Sequence, residues 1–151
     1  MASVEGKKIS IINGPNLNLL GSREPNVYGN KTFEEYLEKL RDKNSGIEII
    51  YRQSNIEGEL INFLHSAAMD SIGIIINPGG FAHTSVAIAD AIGAIKTPVV
   101  EVHISNVFAR EEYRQTMLTA SKCDGIITGM GLDGYRLALH YLLHYLGGRK
   151  K

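Results

Sequence analysis

Apolar runs and helical patterns alternate along this chain from one end to the other. Five short apolar runs stand out, at residues 9–12, 47–51, 72–76, 98–104 and 125–128. Each is rich in β-branched residues, the pattern of strands buried on both faces of a parallel sheet. Between them the spacing predicts helices. Thr32-Phe33-Glu34-Glu35 reads as a capping box, after which Phe33, Tyr36, Leu37 and Leu40 recur at helical spacing. Ser54-Asn55-Ile56-Glu57 reads as a second box, followed by Leu60, Phe63, Leu64 and Ala67. A third helix starts near Thr84 or Ser85 and runs through Ala94. It is apolar almost all round, which points to cover on several sides and to a subunit interface. A fourth helix is expected over roughly 110–118, and a fifth from about Gly134 to Leu146, stopped by Gly147. Strand and helix alternating in this way imply a three-layer α/β sandwich around a parallel sheet.

Composition narrows the reading. The 151 residues suit one domain spanning 1–151, with 1–7 and 148–151 as loose ends. Sixteen basic residues balance sixteen acidic ones, so there is no electrostatic reason to expect a nucleic-acid or membrane partner, and self-association is not discouraged. The single cysteine, Cys123, excludes an intramolecular disulfide and points to a reducing compartment. The polar start carries no signal-peptide core, and the longest apolar run, 72–76, is too short to span a bilayer. A cytoplasmic protein is expected.

Polar groups gather where the strands end, and in open α/β sheets ligands bind beyond those carboxyl ends. After the first run come Asn13, Gly14, Pro15, Asn16 and Asn18, and after the second Arg52, Gln53, Ser54 and Asn55. After the third run come Asn77-Pro78-Gly79-Gly80 and then His83-Thr84-Ser85, and the fourth carries Glu101 and His103 followed by Ser105 and Asn106. Amides, hydroxyls and imidazoles at one sheet edge suit a small polyhydroxylated ligand, and no acidic pair suited to a divalent metal is among them. Glu101 and His103, two apart on a strand, face the same side. The carboxylate can fix the imidazole tautomer and raise its basicity, which makes His103 a candidate acid or base; a buried pair that only satisfies itself is an equal alternative. Residues 21–29 form a long connection that suits either a lid or a plain surface loop. Within it, Arg23 could favour the phenolate of Tyr28.

Other signals carry less. Gly129-Met130-Gly131-Leu132-Asp133-Gly134 matches a dinucleotide-binding fingerprint, but no β unit follows to supply the ribose-binding acid. His140 and His144 lie one helical turn apart without the glutamate of a zinc protease motif or a third ligand. Cys123 beside Lys122 has no obvious partner base and reads as structural.

Taken together, Asn13-Gly14-Pro15-Asn16-Leu17-Asn18-Leu19-Leu20-Gly21, Arg23-Glu24-Pro25, Tyr28-Gly29, Arg52-Gln53-Ser54-Asn55, Asn77-Pro78-Gly79-Gly80, His83-Thr84-Ser85 and Glu101-Val102-His103-Ile104-Ser105-Asn106 resemble the type II 3-dehydroquinate dehydratases. Ala109-Arg110-Glu111-Glu112-Tyr113-Arg114 and Gly129-Met130-Gly131 with Gly134-Tyr135 complete a set that covers nearly the whole chain in order. The resemblance implies a flavodoxin-like fold with sheet order 2-1-3-4-5 and a homododecamer built as a tetramer of trimers. It implies dehydration of 3-dehydroquinate to 3-dehydroshikimate, the third step of the shikimate pathway, with no metal or organic cofactor. By position, it implies that Tyr28 is the base, as phenolate, and that Arg23 favours that phenolate. Asn16 would hold a water on the enolate oxygen. His103 would protonate the departing hydroxyl, with Glu101 orienting its ring. The amides of Ile104 and Ser105 would bind the substrate carboxylate, and Asn77, His83 and Arg114 the carboxylate and ring hydroxyls. Asp90 would reach a neighbouring subunit's site, and Arg110 would partner the lid. The departures from the family pattern, at 115–119, Asn26 and Asp133, are expected to fall away from the chemistry.

Two readings of other classes compete. The glycines of 77–80 before a helix N-terminus would suit FMN or another anionic ligand in a binding module. A phospho-acceptor domain would need aspartates where this chain has Asn13 and Asn77, which excludes it.

Overall fold

The computed structural model describes residues 3–22 and 31–144. Five strands, β1 (Lys8–Asn13), β2 (Glu48–Gln53), β3 (Gly73–Asn77), β4 (Val99–His103) and β5 (Gly125–Thr128), form one sheet in the order β2-β1-β3-β4-β5. Every pairing is parallel. This is the flavodoxin-like order, and its topological switch falls between β1 and β3. Among the described residues four α-helices cover the sheet: α1 (Phe33–Lys43), α2 (Glu57–Asp70), α3 (Val86–Ala94) and α4 (Asp133–His144).

Alternation along the strands divides the core in two. Ile9, Ile11, Ile75, Val100 and Val102 pack against Phe33, Leu37 and Leu40 of α1 and Tyr135, Leu139 and Leu142 of α4. Ile12, Ile74, Ile76 and Val99 pack against Leu60 and Leu64 of α2 and Ile88 and Ile92 of α3. The same alternation aims the polar ends. Glu101 and His103 follow Val99 toward the α2–α3 layer, whereas Asn13 and Asn77 follow Ile11 and Ile75 toward α4.

The helix starts follow the expected pattern only in part. Thr32 Oγ1 accepts from Glu35 N at 3.2 Å and Ser85 Oγ from Ile88 N at 2.9 Å, so α1 and α3 begin where the sequence places them. The second capping box does not form. Ser54 Oγ instead accepts from Ile56 N at 2.9 Å and donates to Glu59 at 2.8 Å, while Ser54 N is tied to Asn13 O at 3.1 Å. That tie holds Ser54 to the sheet and moves the start of α2 to Glu57. The fourth expected helix is also absent: 107–122 holds only short 3-10 turns at Val107–Ala109, Glu112–Gln115 and Ala120–Lys122. Leu118 N and Thr119 N both donate to Ala82 O, at 2.9 and 3.4 Å, so tertiary bonds replace the helical ladder. At the start of the chain, Gly6 N donates to Gly46 O at 2.8 Å, so this part of 1–7 is tied down. The loose tail expected at 148–151 and the helix stop at Gly147 lie outside the described residues. Among the described residues no helix is long and apolar enough to cross a membrane.

The loops after β1 and β3 touch. Gly14 N donates to Asn77 O at 2.7 Å, and a Cβ on Gly14 would sit 2.5 Å from Pro78 O. Backbone cannot yield there as a side chain tip can. Gly14→Ala is therefore expected to lower stability by about 1–3 kcal/mol, read from the urea midpoint, and an unchanged midpoint would contradict this packing.

Candidate active site

A pocket opens beyond the carboxyl ends of β1, β3 and β4, beside the switch point. Pro15, Asn16 and Leu17 line it from the first loop, Asn77, Gly79, Gly80 and His83 from the third, and His103, Ile104, Ser105, Val107, Arg110 and Arg114 from the fourth. Seven of the residues singled out in the sequence, Asn16, Asn77, His83, His103, Ile104, Ser105 and Arg114, therefore meet here, and Arg110 joins them. Asp90 does not line this pocket; it lies exposed on α3. Arg23 and Tyr28 lie outside the described residues.

The most buried charge-bearing group is Glu101, with no solvent exposure. His103 Nε2 donates to its Oε2 at 2.7 Å, and Thr119 Oγ1 donates to its Oε1 at 2.5 Å. Both carboxylate oxygens are thus satisfied, which burial demands. The bond from Nε2 leaves Nδ1 as the second ring nitrogen of His103. His83 stacks near it, ring centroids 6.2 Å apart and planes at 28°.

His83 is fixed from the other side. Its Nδ1 lies 2.8 Å from the carbonyl of Thr116, which can only accept, so Nδ1 carries the proton and Nε2 is an acceptor in the neutral ring. Burial is the main cause that holds the His83 pKa below its ordinary value; the Thr116 bond opposes the shift, and His103 adds to it. A neutral imidazole with one open acceptor suits a ligand hydroxyl.

The backbone at the end of β4 is oriented by the glycine-rich turn. Gly129 (φ 88°) and Gly131 (φ 60°) adopt left-handed conformations and donate to His103 O at 3.1 Å and Ile104 O at 3.0 Å. Each peptide is trans, so the N–H groups that follow, those of Ile104 and Ser105, point away from that turn. The motif that resembles a dinucleotide fingerprint therefore shapes this strand end. The other glycine loop forms a 3-10 turn, Gly79–His83, and does not run straight into a helix; Thr84 and Ser85 intervene, and Ser85 caps α3 itself.

The Asn77 side chain is held by two groups, and a third bond extends the chain to Asn13. Its Nδ2 donates to Tyr135 Oη at 3.1 Å, its Oδ1 accepts from Gly79 N at 3.1 Å, and Tyr135 Oη donates onward to Asn13 Oδ1 at 2.7 Å. Sequence reasoning missed Tyr135 as a support of the site, although Gly134-Tyr135 stood among the motifs. Burial pushes the phenols of Tyr135 and Tyr36 up and that of Tyr51 up to about 12, so these three hold their protons near neutral pH. Asn16 sits in a left-handed turn (φ 71°) with its N–H donating to Asn55 Oδ1 at 3.0 Å. On the outer wall Arg114 Nε meets Glu111 Oε2 at 2.6 Å, and Arg114 draws the Glu111 carboxyl down to about 2. Arg110 Nη1 donates to Ser105 Oγ at 3.3 Å. The segment 115–119, expected to fall away from the chemistry, instead touches both histidine systems through Thr116 O and Thr119 Oγ1.

A family model described as dehydroquinase class II matches residues 7–143. The chain belongs to the class II dehydroquinase family. Its relatives include the 3-dehydroquinate dehydratase of Carboxydothermus hydrogenoformans, 50% identical over 144 residues that cover 94% of this chain and 94% of that protein. That of Rhodopseudomonas palustris is 50% identical over 145 residues, covering 93% and 95%. Among solved structures, the type II dehydroquinase from Butyrivibrio crossotus aligns with a TM-score of 0.87 at 44% identity, covering 91% of this chain and 97% of that one. The type II dehydroquinase from Propionibacterium acnes aligns with a TM-score of 0.88 at 40% identity, covering 94% and 99%.

The burial of His83 sets a sign for pH dependence. Its folded-state pKa is lowered, so below the ordinary histidine pKa of about 6.5 the unfolded chain binds the proton more readily. Its contribution is present above that value and fades as pH falls toward the lowered one. Urea unfolding at pH 7, 6 and 5 is expected to show stability falling with pH, with a shallower fall in His83→Gln. Equal slopes would contradict the buried neutral ring.

Proposed function

We propose that this protein dehydrates 3-dehydroquinate to 3-dehydroshikimate in this pocket, the third step of the shikimate pathway. The observation that carries the reading is the buried Glu101–His103 pair, of which His103 lines a pocket together with amide, hydroxyl, imidazole and guanidinium groups. Membership of the family supports the same reaction.

The reaction has two demands. A proton at C2, beside the C3 ketone, must be removed, and the hydroxide at C1 is a poor leaving group. In the proposed anti elimination the phenolate of Tyr28 takes the C2 proton, and the C–H electron pair becomes the C2–C3 double bond of an enolate. The enolate oxygen, stabilised through a water on Asn16, then re-forms the ketone. Its electrons build the C1–C2 double bond, and the C1–O bond breaks as His103 delivers a proton, so water departs. Tyr28 ends protonated and His103 deprotonated, and exchange with solvent resets both.

The site residues take these roles. Glu101 fixes the His103 ring, and β4 supplies a rigid mounting. The N–H groups of Ile104 and Ser105 receive the substrate carboxylate. Asn77, neutral His83 and Arg114 hold the carboxylate and ring hydroxyls, while Arg23 favours the Tyr28 phenolate and Arg110 partners the lid. Arg23 and Tyr28 take their roles from the family resemblance alone. Closing residues 21–29 over the pocket would exclude water and bring the base in.

The proposal includes a homododecamer, a tetramer of trimers in the cytoplasm, in which Asp90 serves a neighbour's site. Val86, 62% exposed, and Ala87, Gly93 and Ala94 lie open beside Asp90 on α3, an apolar face suited to such a neighbour.

The test is an ultraviolet assay of purified protein on 3-dehydroquinate with chelator present. Wild type is expected to produce the absorbance of a conjugated enone, while folded His103→Ala and Tyr28→Phe stay flat. A wild type without product would overturn the reaction, and an active His103→Ala or Tyr28→Phe would overturn the role given to that residue.

A further inference from the structure

We infer that Thr119 is a positioning residue of the dehydration, its hydroxyl holding Glu101 in the orientation in which Glu101 holds His103. The inference rests on the functional reading above and extends it to a residue that does not line the pocket.

Glu101 has two oxygens and no contact with solvent. An ionised carboxylate only accepts, so each oxygen needs a donor brought by the protein. His103 Nε2 serves Oε2 at 2.7 Å and Thr119 Oγ1 serves Oε1 at 2.5 Å. Cys123 Sγ, a far weaker donor, also lies 3.9 Å from Oε1. With the hydroxyl in place, the carboxylate plane is pinned at both ends. Without it, Oε1 is left without a strong donor, and the group gains by turning Oε1 toward the His103 N–H. That turn disturbs the bond that fixes the ring.

Thr119 is itself built into the fold. Its side chain is fully buried. Its N–H donates to Ala82 O at 3.4 Å, and its carbonyl accepts from Lys122 N at 3.1 Å and from Cys123 Sγ at 3.4 Å. Three residues earlier, Thr116 O accepts from His83 Nδ1 at 2.8 Å. One short segment therefore holds both pocket histidines from behind, one directly and one through Glu101.

The test compares Thr119→Val, which keeps the shape and deletes the donor, with Thr119→Ser, which keeps the donor. Two readouts are taken: kcat and KM on 3-dehydroquinate, and the slowly exchanging His103 ring N–H proton in NMR, assigned by its absence in His103→Ala. Thr119→Val is expected to lower kcat about 10-fold or more with KM unchanged, and to shift and broaden the ring N–H resonance; Thr119→Ser keeps both near wild type. Should Thr119→Val not fold, Thr119→Ala carries the same comparison. A Thr119→Val enzyme with wild-type kcat overturns the inference. So does a kcat loss with the resonance unmoved, or an equal loss in Thr119→Ser, because either would mean packing alone. A wild type inert on 3-dehydroquinate overturns the functional reading and the role of Thr119 with it, whereas an active wild type beside an indifferent Thr119→Val overturns only the latter.

Discussion

Glu101 is a carboxylate with no access to water, placed in the middle of β4 of a parallel sheet. Moving such a charge out of water costs several kcal/mol unless donors meet it, so its surroundings are dictated by that need. His103 answers from two residues along the same strand, where the pleat puts both side chains on one face. Thr119 answers from the loop after the pocket's outer wall. That loop is in turn bonded to Ala82, in the turn that ends at His83. A single buried charge thus draws together the fourth strand, the loop beyond it and the turn after the third strand.

The rest of the pocket follows from how the sheet ends. β1 and β3 run side by side, and their loops lock through Gly14 and Asn77. Tyr135 joins Asn13 and Asn77 from beneath, so two strand ends are fixed by one phenol on α4. On the fourth strand the turn at 129–131 claims two successive carbonyls and so turns two amides outward. These supports hold a neutral imidazole, His83, next to the carboxylate-backed imidazole of His103. Such neighbours can take different tasks, binding a hydroxyl and moving a proton.

Much of this was legible in the sequence, because it rests on local patterns. The five β-branched runs became the five strands, and Thr32 and Ser85 cap the helices that they precede. The Glu101-x-His103 spacing was enough to foresee one shared face. What could not be read depended on contacts distant in the chain. Ser54 has the spacing of a cap, yet its backbone is bound by Asn13 and the helix starts later. Residues 110–118 show a helical start, yet Ala82 O captures Leu118 and Thr119 and the chain stays in short turns. The roles of Thr119 and Tyr135 left no local signal, since a threonine in a loop and a tyrosine in a helix are ordinary until the strand they meet is known.

The central claim is that the buried carboxylate acts on the reaction through His103 and is not a self-contained structural pair. Glu101→Gln tests it most directly, because the amide keeps the size and removes the charge. The account predicts a folded protein whose turnover of 3-dehydroquinate falls by about 10- to 100-fold, with KM little changed. Turnover equal to wild type in a folded Glu101→Gln protein would contradict it.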